Sequence, residues 1–406
     1  MLSSRCSLRP KEDSYGCSSR SLLAGAFCTL TVILNLPLDV TLTKQSKTSK
    51  RAAFSIGTFG GPIMGQYKYL GGVRARDGAI YGIPGHARRV LKIVPDTGEV
   101  SHIGPLLNGK FKWLRGVLAP DDALYGIPAH ASSVIKIVPC TGKVLTIGSL
   151  PEGPWKWHGG VLGKDGCIYG IPSNAESVLK IVPSTGEVST IGSLPKGRNK
   201  WYGGLLGGNG AIYGIPYNAN AVLKIVPETG EVKLIGRMPD GGWKWHGGVV
   251  GPDGAIYGIP SHAEHVLRIW PDTDDIELLG NLPKTVFKWG GGAVGDDGMV
   301  YGFPCDAESV LKVDPNTGAV STIDSVKFPG NSKWQGGMLT KDGSIYAIPD
   351  RADGVLKITP RTGEVSAVGG PFEGRYKWQG AVMSQDGAIY GLPNRAKQVL
   401  KITPEA

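Results

Sequence analysis

KWHGGVLGKDGCIYGIPSNAESVLKIVPSTGEVSTIG, residues 156–192, returns with small edits along the whole chain after the first fifty residues. The lysine-aromatic pair that opens it recurs at Lys68-Tyr69, Lys112-Trp113, Lys156-Trp157, Lys200-Trp201, Lys244-Trp245, Lys288-Trp289, Lys333-Trp334 and Lys377-Trp378. The spacing is 44 residues, with one step of 45 between Lys288 and Lys333. A fixed period of this length marks a repeat architecture, in which each unit buries its apolar faces against its neighbours.

One unit reads as four short strands. Trp157 to Leu162 is an apolar run closed by the turn Gly163-Lys164-Asp165-Gly166. Cys167 to Pro172 is a second run, Val178 to Pro183 a third, and Glu187 to Ile191 alternates polar with apolar residues. Turn chemistry separates them, and no window carries an apolar face at helical spacing. Four strands per 40–45 residues make the blade of a β-propeller. The expected fold is therefore all-β, a single propeller of eight four-stranded blades over residues 52–406.

The ends of the chain support closure. The last unit stops at Pro404-Glu405-Ala406, after its third strand. The missing form sits upstream of the first unit, at Ala53-Phe54-Ser55-Ile56-Gly57. Pairing these N- and C-terminal strands completes one mixed blade and removes two open sheet edges. A seven-bladed ring with one unit displaced would leave two orphan fragments.

The front of the chain is different. Residues 1–21 are a basic, Ser-rich stretch expected to be disordered, and 39–51 read as a polar linker. Leu22 to Leu38 (LLAGAFCTLTVILNLPL) is uncharged and nearly all apolar. At 17 residues it is at the lower limit for a membrane-spanning helix and long for a signal-peptide core. It reads as a signal anchor or uncleaved signal, with a cleaved signal or organelle transit peptide as the alternative. The expected setting is a membrane-anchored or secretory-pathway protein, and a monomer.

Residues 1–51 hold eight basic and three acidic residues, half of the chain's +10 excess. The mild remainder, spread over the repeats, does not form the basic stripe of a nucleic-acid binder. Six cysteines show neither a disulfide framework nor zinc spacing, and Asn-x-Ser/Thr sequons are absent. No cofactor and no metal are expected.

The eight units serve as internal copies of one another. What recurs builds blades: the tryptophan by packing, the Gly-Gly pair by close approach near the axis, and the Val-Leu-Lys lysine by laying its stem on apolar surface. What varies, on the face where propeller loops surround the channel mouth, is where a ligand is expected. Two residues after the repeat's proline the chain carries His86, His130, Asn174, Asn218, His262, Asp306, Arg351 and Arg395. After the lysine-aromatic pair it carries Leu70, Leu114, His158, Tyr202, His246, Gly290, Gln335 and Gln379. The next position is glycine in every blade except the second, where it is Arg115. Blades seven, eight, one and two thus form a basic half-ring of Arg351, Arg395, His86, His130 and Arg115, opposite a more acidic half. Guanidinium forks suit carboxylate, phosphate or sulfate. The bland reading is that these are solvated loop residues. A metal site of His158, His246 and His262 is the sharper alternative and needs convergence across two blades.

The segment GPDGAIYGIPSHAEHVLRIWP, residues 251–271, resembles the repeats of NHL-type and streptogramin-lyase-like propellers. The resemblance covers residues 52–406 and rests on turn and strand chemistry. It implies the propeller fold. Streptogramin-lyase-like proteins are seven-bladed lyases with a particular histidine and acidic metal ligands. No stretch here matches that set, so no catalytic residue is carried over.

Two functional readings follow. One is a non-catalytic binding or scaffold propeller that presents its varied face to an anionic small molecule or a protein partner. The other is a lyase or hydrolase with histidine as base and arginine as oxyanion stabiliser at the channel mouth. Near-uniform loops favour the first. Two of His86, His130, His158, His246 and His262 within hydrogen-bonding reach of each other would favour the second. A recently expanded repeat under little functional constraint fits the same sequence.

Overall fold

The computed structural model describes residues 54–405. The stretches 1–21, 22–38 and 39–51, expected to be a disordered terminus, a signal or anchor and a linker, lie outside these residues. Thirty-two strands and no helix are found among the described residues, arranged as eight four-stranded antiparallel sheets. No helix there is long and apolar enough to cross a membrane.

Each unit folds as its sequence predicts. In blade three the strands are Trp157–Leu162, Ile168–Pro172, Val178–Val182 and Glu187–Ile191, paired in chain order. The eighth sheet takes its inner strands from Trp378–Met383, Ile389–Pro393 and Val399–Thr403 and its outer strand from Ser55–Phe59. Ser55 pairs with Thr403 and Phe59 with Val399, which closes the eight-bladed ring as the terminal sequences foretold.

The turn before the second strand is held by its aspartate. Asp165 Oδ1 accepts the Cys167 backbone N–H, and its Oδ2 accepts the Tyr169 hydroxyl at 2.7 Å. Gly166 supplies the positive φ (78°) that this turn requires. Asp165→Ala removes both bonds and is expected to cost about 1–3 kcal/mol, read as a lower urea midpoint at unchanged slope.

The core lies between blades. Trp157 of blade three packs with Tyr125, Ile127 and Val134 of blade two and with Ile168, Leu179 and Ile181 of its own sheet. The indole N–H donates to Ser177 O at 2.9 Å, so this large side chain is buried with its one polar atom satisfied. The same bond recurs in every blade that carries the tryptophan.

The lysine before it is buried as well. All eight are between 1 and 5 % exposed, which is rare for lysine. Lys112 Nζ donates to Gly109 O of its own loop and to Gly85 O and Ala87 O of the preceding blade, at 3.1, 2.7 and 3.0 Å. Lys68 reaches back in the same way to Asn394 O and Ala396 O, across the closure of the ring. The backbone N–H of each lysine joins the preceding blade too, as in Lys112 to Gly85 O and Lys377 to Asp350 O.

Burial lowers these lysines, to about 8 for Lys68, Lys112, Lys244 and Lys288. Their folded values lie below the unfolded value near 10.5. Between pH 8 and 10.5 the unfolded chain therefore holds protons that the ring has released. Stability should rise with pH across that window. Above pH 10 buried tyrosines held up near 12, Tyr81 and Tyr125, reverse the trend, because the unfolded chain then ionises first. Urea unfolding from pH 7 to 11 should show a maximum near pH 10.

Candidate functional site

The innermost strands are bulged, and the bulge positions the site. In blade three Trp157 faces Pro172 and Gly160 faces Gly170, so one extra residue is inserted between them. All eight blades share the irregularity. A bulge re-aims side chains, here from the blade interface into the central channel. The residue at the second bulge position has positive φ throughout, from 61° at Arg115 to 114° at Gly71.

Arg115 is the exception in that ring of glycines. It is exposed within a channel of about 340 Å³. A methyl group built on Gly159 would meet its Cδ at 3.3 Å, and one on Gly203 its Nη1 at 3.8 Å. The side chain therefore runs across the glycines of blades three and four. Among the described residues Arg115 makes no salt bridge, and no carboxylate lines the channel.

Over the same channel stand three closely packed rings, tilted against one another. Tyr202 lies between His158, at 3.8 Å between ring centres, and His246, at 4.0 Å. Burial, then the Arg115 charge, drives His158 well below the usual histidine range and holds His246 at about 4. Both imidazoles are neutral at physiological pH, and Arg115 is the single full charge on the channel wall.

Above the channel opens a mouth cavity of about 470 Å³, which shares Leu70, Tyr202, Gln335 and Gln379 with it. Its aromatic wall comes from the residue before each lysine: Tyr67, Phe111, Trp155, Trp243 and Tyr376. Phe287 occupies the same position in blade six, with Asn199 and Ser332 in blades four and seven. All eight hold φ between 48° and 59°, an uncommon conformation for bulky residues. Reading the sequence for repeated and singular residues missed this ring, because its residue types vary. The signal was an aromatic residue before lysine in six of eight units.

The rim candidates fill the gaps between these aromatics. His86 packs on Phe111 at 4.2 Å, His130 on Trp155 at 4.9 Å, and His262 on Phe287 at 4.5 Å. Arg351 stacks on Tyr376 and donates to its hydroxyl at 2.6 Å. Arg395 sits on both Tyr67 and Tyr376 and donates to the Tyr67 hydroxyl. Burial lowers His86, His130 and His262, so at neutral pH the positive charge of the rim rests on the arginines.

The eight candidates thus fall at three levels. His86, His130, His262, Arg351 and Arg395 belong to the rim, His158 lines the mouth cavity, and Arg115 and His246 line the channel. Among the described residues no two of these histidines hydrogen-bond to each other. His262 stands on the rim, away from the His158–Tyr202–His246 stack. No group of His, Cys, Asp and Glu there has the arrangement of a metal site.

The protein is a β-propeller repeat protein that resembles the streptogramin-lyase propellers. A family model described as a repeat of unknown function, DUF6923, matches residues 36–226. Streptogramin B lyase superposes with a TM-score of 0.59 at 14 % identity, covering 86 % of this chain and 97 % of that one. Virginiamycin B lyase from Staphylococcus aureus gives 0.59 at 15 % identity, covering 87 % and 100 %. The extracellular domain of a one-component system from B. thetaiotaomicron gives 0.50 at 10 % identity, covering 82 % of this chain and 52 % of that chain. These likenesses are of fold. Comparison with curated proteins returns no match.

Proposed function

We propose that the propeller is a binding module for a small organic anion. The anionic group enters the channel and meets Arg115, and a flat body rests on the aromatic wall of the mouth. The observation that carries this reading is Arg115 itself. A bulky residue is kept at positive φ where seven blades have glycine, and its guanidinium is left without an acidic partner. Strain of this kind persists where function requires the side chain. The concave, largely aromatic mouth and its size are those of a small-molecule site. Arg351 and Arg395 add positive potential at the entrance and steer anions inward. Segment 22–38 would deliver the ring to the secretory pathway or hold it at a membrane. The extracellular setting of the one-component-system domain that shares its fold is in keeping with that.

The full chain should melt later in the presence of benzoate or phenyl phosphate and be unaffected by benzyl alcohol, since a ligand bound by the folded state alone raises the melting temperature by mass action. Loss of the shift in Arg115→Gly completes the test. Equal shifts for acid and alcohol, or a shift that survives Arg115→Gly, would overturn it.

A further inference from the structure

The anion reading does not use the wall that blades seven and eight give to the mouth. Asp350 and Asn394 line it, each directly after the proline of its repeat. The first six blades place Gly85, Ala129, Ser173, Tyr217, Ser261 and Cys305 there. Asp350 and Asn394 are 6 % and 5 % exposed, and the Oδ1 of each lacks a hydrogen-bond partner. Leaving one such buried acceptor unpaired is unfavourable, and here two stand on neighbouring blades. Asn394 Nδ2 is already used, donating to Gln379 Oε1 at 3.0 Å. Gln379 also lines the channel that holds Arg115, so this wall and the guanidinium border one continuous space.

Resting on the anion reading, we infer that Asp350 and Asn394 accept hydroxyl hydrogens and that the ligand is an acidic sugar, a pyranose ring bearing a carboxylate. Two acceptors on neighbouring blades of one cavity call for a ligand with more than one donor. Ammonium donors are disfavoured, because Lys377, Arg351 and Arg395 surround Asp350 with positive charge. Neutral hydroxyls remain, and a sugar ring supplies several around its edge. The aromatic wall suits the C–H faces of a pyranose, whose hydrogens are polarised towards the negative faces of the rings. The carboxylate completes the match at Arg115.

Calorimetric titration of the full chain with D-glucuronate, methyl glucoside and benzoate separates the parts. Glucuronate should bind at least tenfold tighter than either of the others. Asp350→Leu and Asn394→Leu, similar in volume but without acceptors, should weaken glucuronate about tenfold and leave benzoate unchanged. Arg115→Gly should weaken glucuronate and benzoate and spare methyl glucoside. Asp350→Ala and Asn394→Ala, which also lack a side-chain acceptor, replace any leucine variant that fails to fold. Benzoate binding as tightly as glucuronate, or leucine variants with unaltered glucuronate affinity, would overturn the sugar assignment and leave the anion site standing. If neither acid binds, both readings fall.

Discussion

Replacing Arg115 with glycine should yield a ring that melts later and no longer holds an anion. The two effects have separate causes. A non-glycine residue in the left-handed region costs about 1–2 kcal/mol, and Arg115 has φ 61°. Glycine relieves that strain but loses more backbone entropy on folding, about 0.5–1 kcal/mol, so the net gain is on the order of 0.5–1 kcal/mol. The other seven blades are internal controls, since they carry glycine at this position and close the ring. A charge-assisted hydrogen bond contributes about 1.5–3 kcal/mol, so loss of the guanidinium should weaken benzoate or glucuronate by roughly 10- to 150-fold. Arg115→Lys keeps the charge and the strain but loses the fork, and should fall between. His246, held down in part by the Arg115 charge, should titrate higher in Arg115→Gly, visible by NMR. A variant that binds as the parent does would remove Arg115 from the site, and one that is less stable would overturn the strain argument.

The ring was legible from one unit because its turns and strands repeat at a fixed period. Its closure was legible because Phe54 to Gly57 has the form that the last unit lacks. The site was legible only in pieces. Arg115, His246 and His86 all read as mouth residues, yet a bulge of one residue sends Arg115 and His246 into the channel while His86 stays on the rim. Bulges carry little sequence signal beyond glycine, and glycine is common throughout these repeats. The aromatic ring of Tyr67, Phe111 and Trp155 escaped notice because bulky residues are not expected at positive φ. Asp350 and Asn394 carry no sequence signal beyond following the repeat's proline, and the unpaired state of their acceptors is visible only in the folded ring.

The repeated lysine hid in a different way, since lysine is almost never fully buried and therefore reads as surface. Lys112→Met is expected to destabilise the ring by about 3–5 kcal/mol, more than any other single change considered. The methionine retains the stem's volume and apolar contacts, so the loss isolates the ammonium. Ala87 O and Gly109 O lose the donor that satisfied them, whereas Gly85 O keeps the Lys112 backbone N–H. Each carbonyl left unpaired costs about 1–3 kcal/mol, and the bonds removed were charge-assisted. Burying an ammonium is itself unfavourable, which caps the loss. The damage should also be local in origin. Lys112 ties blade two to blade one, so hydrogen exchange should accelerate first in the loops around Gly85 and Gly109, with distant blades following at higher denaturant. Lys244 offers the comparison. Its ammonium has one carbonyl partner, Gly241 O at 2.8 Å, and its side chain is as deeply buried. Lys244→Met should therefore cost less, about 1–2 kcal/mol. Equal losses in the two variants would mean that the bonds to the preceding blade add nothing beyond the bond within the lysine's own loop, and would remove the clamp between blades.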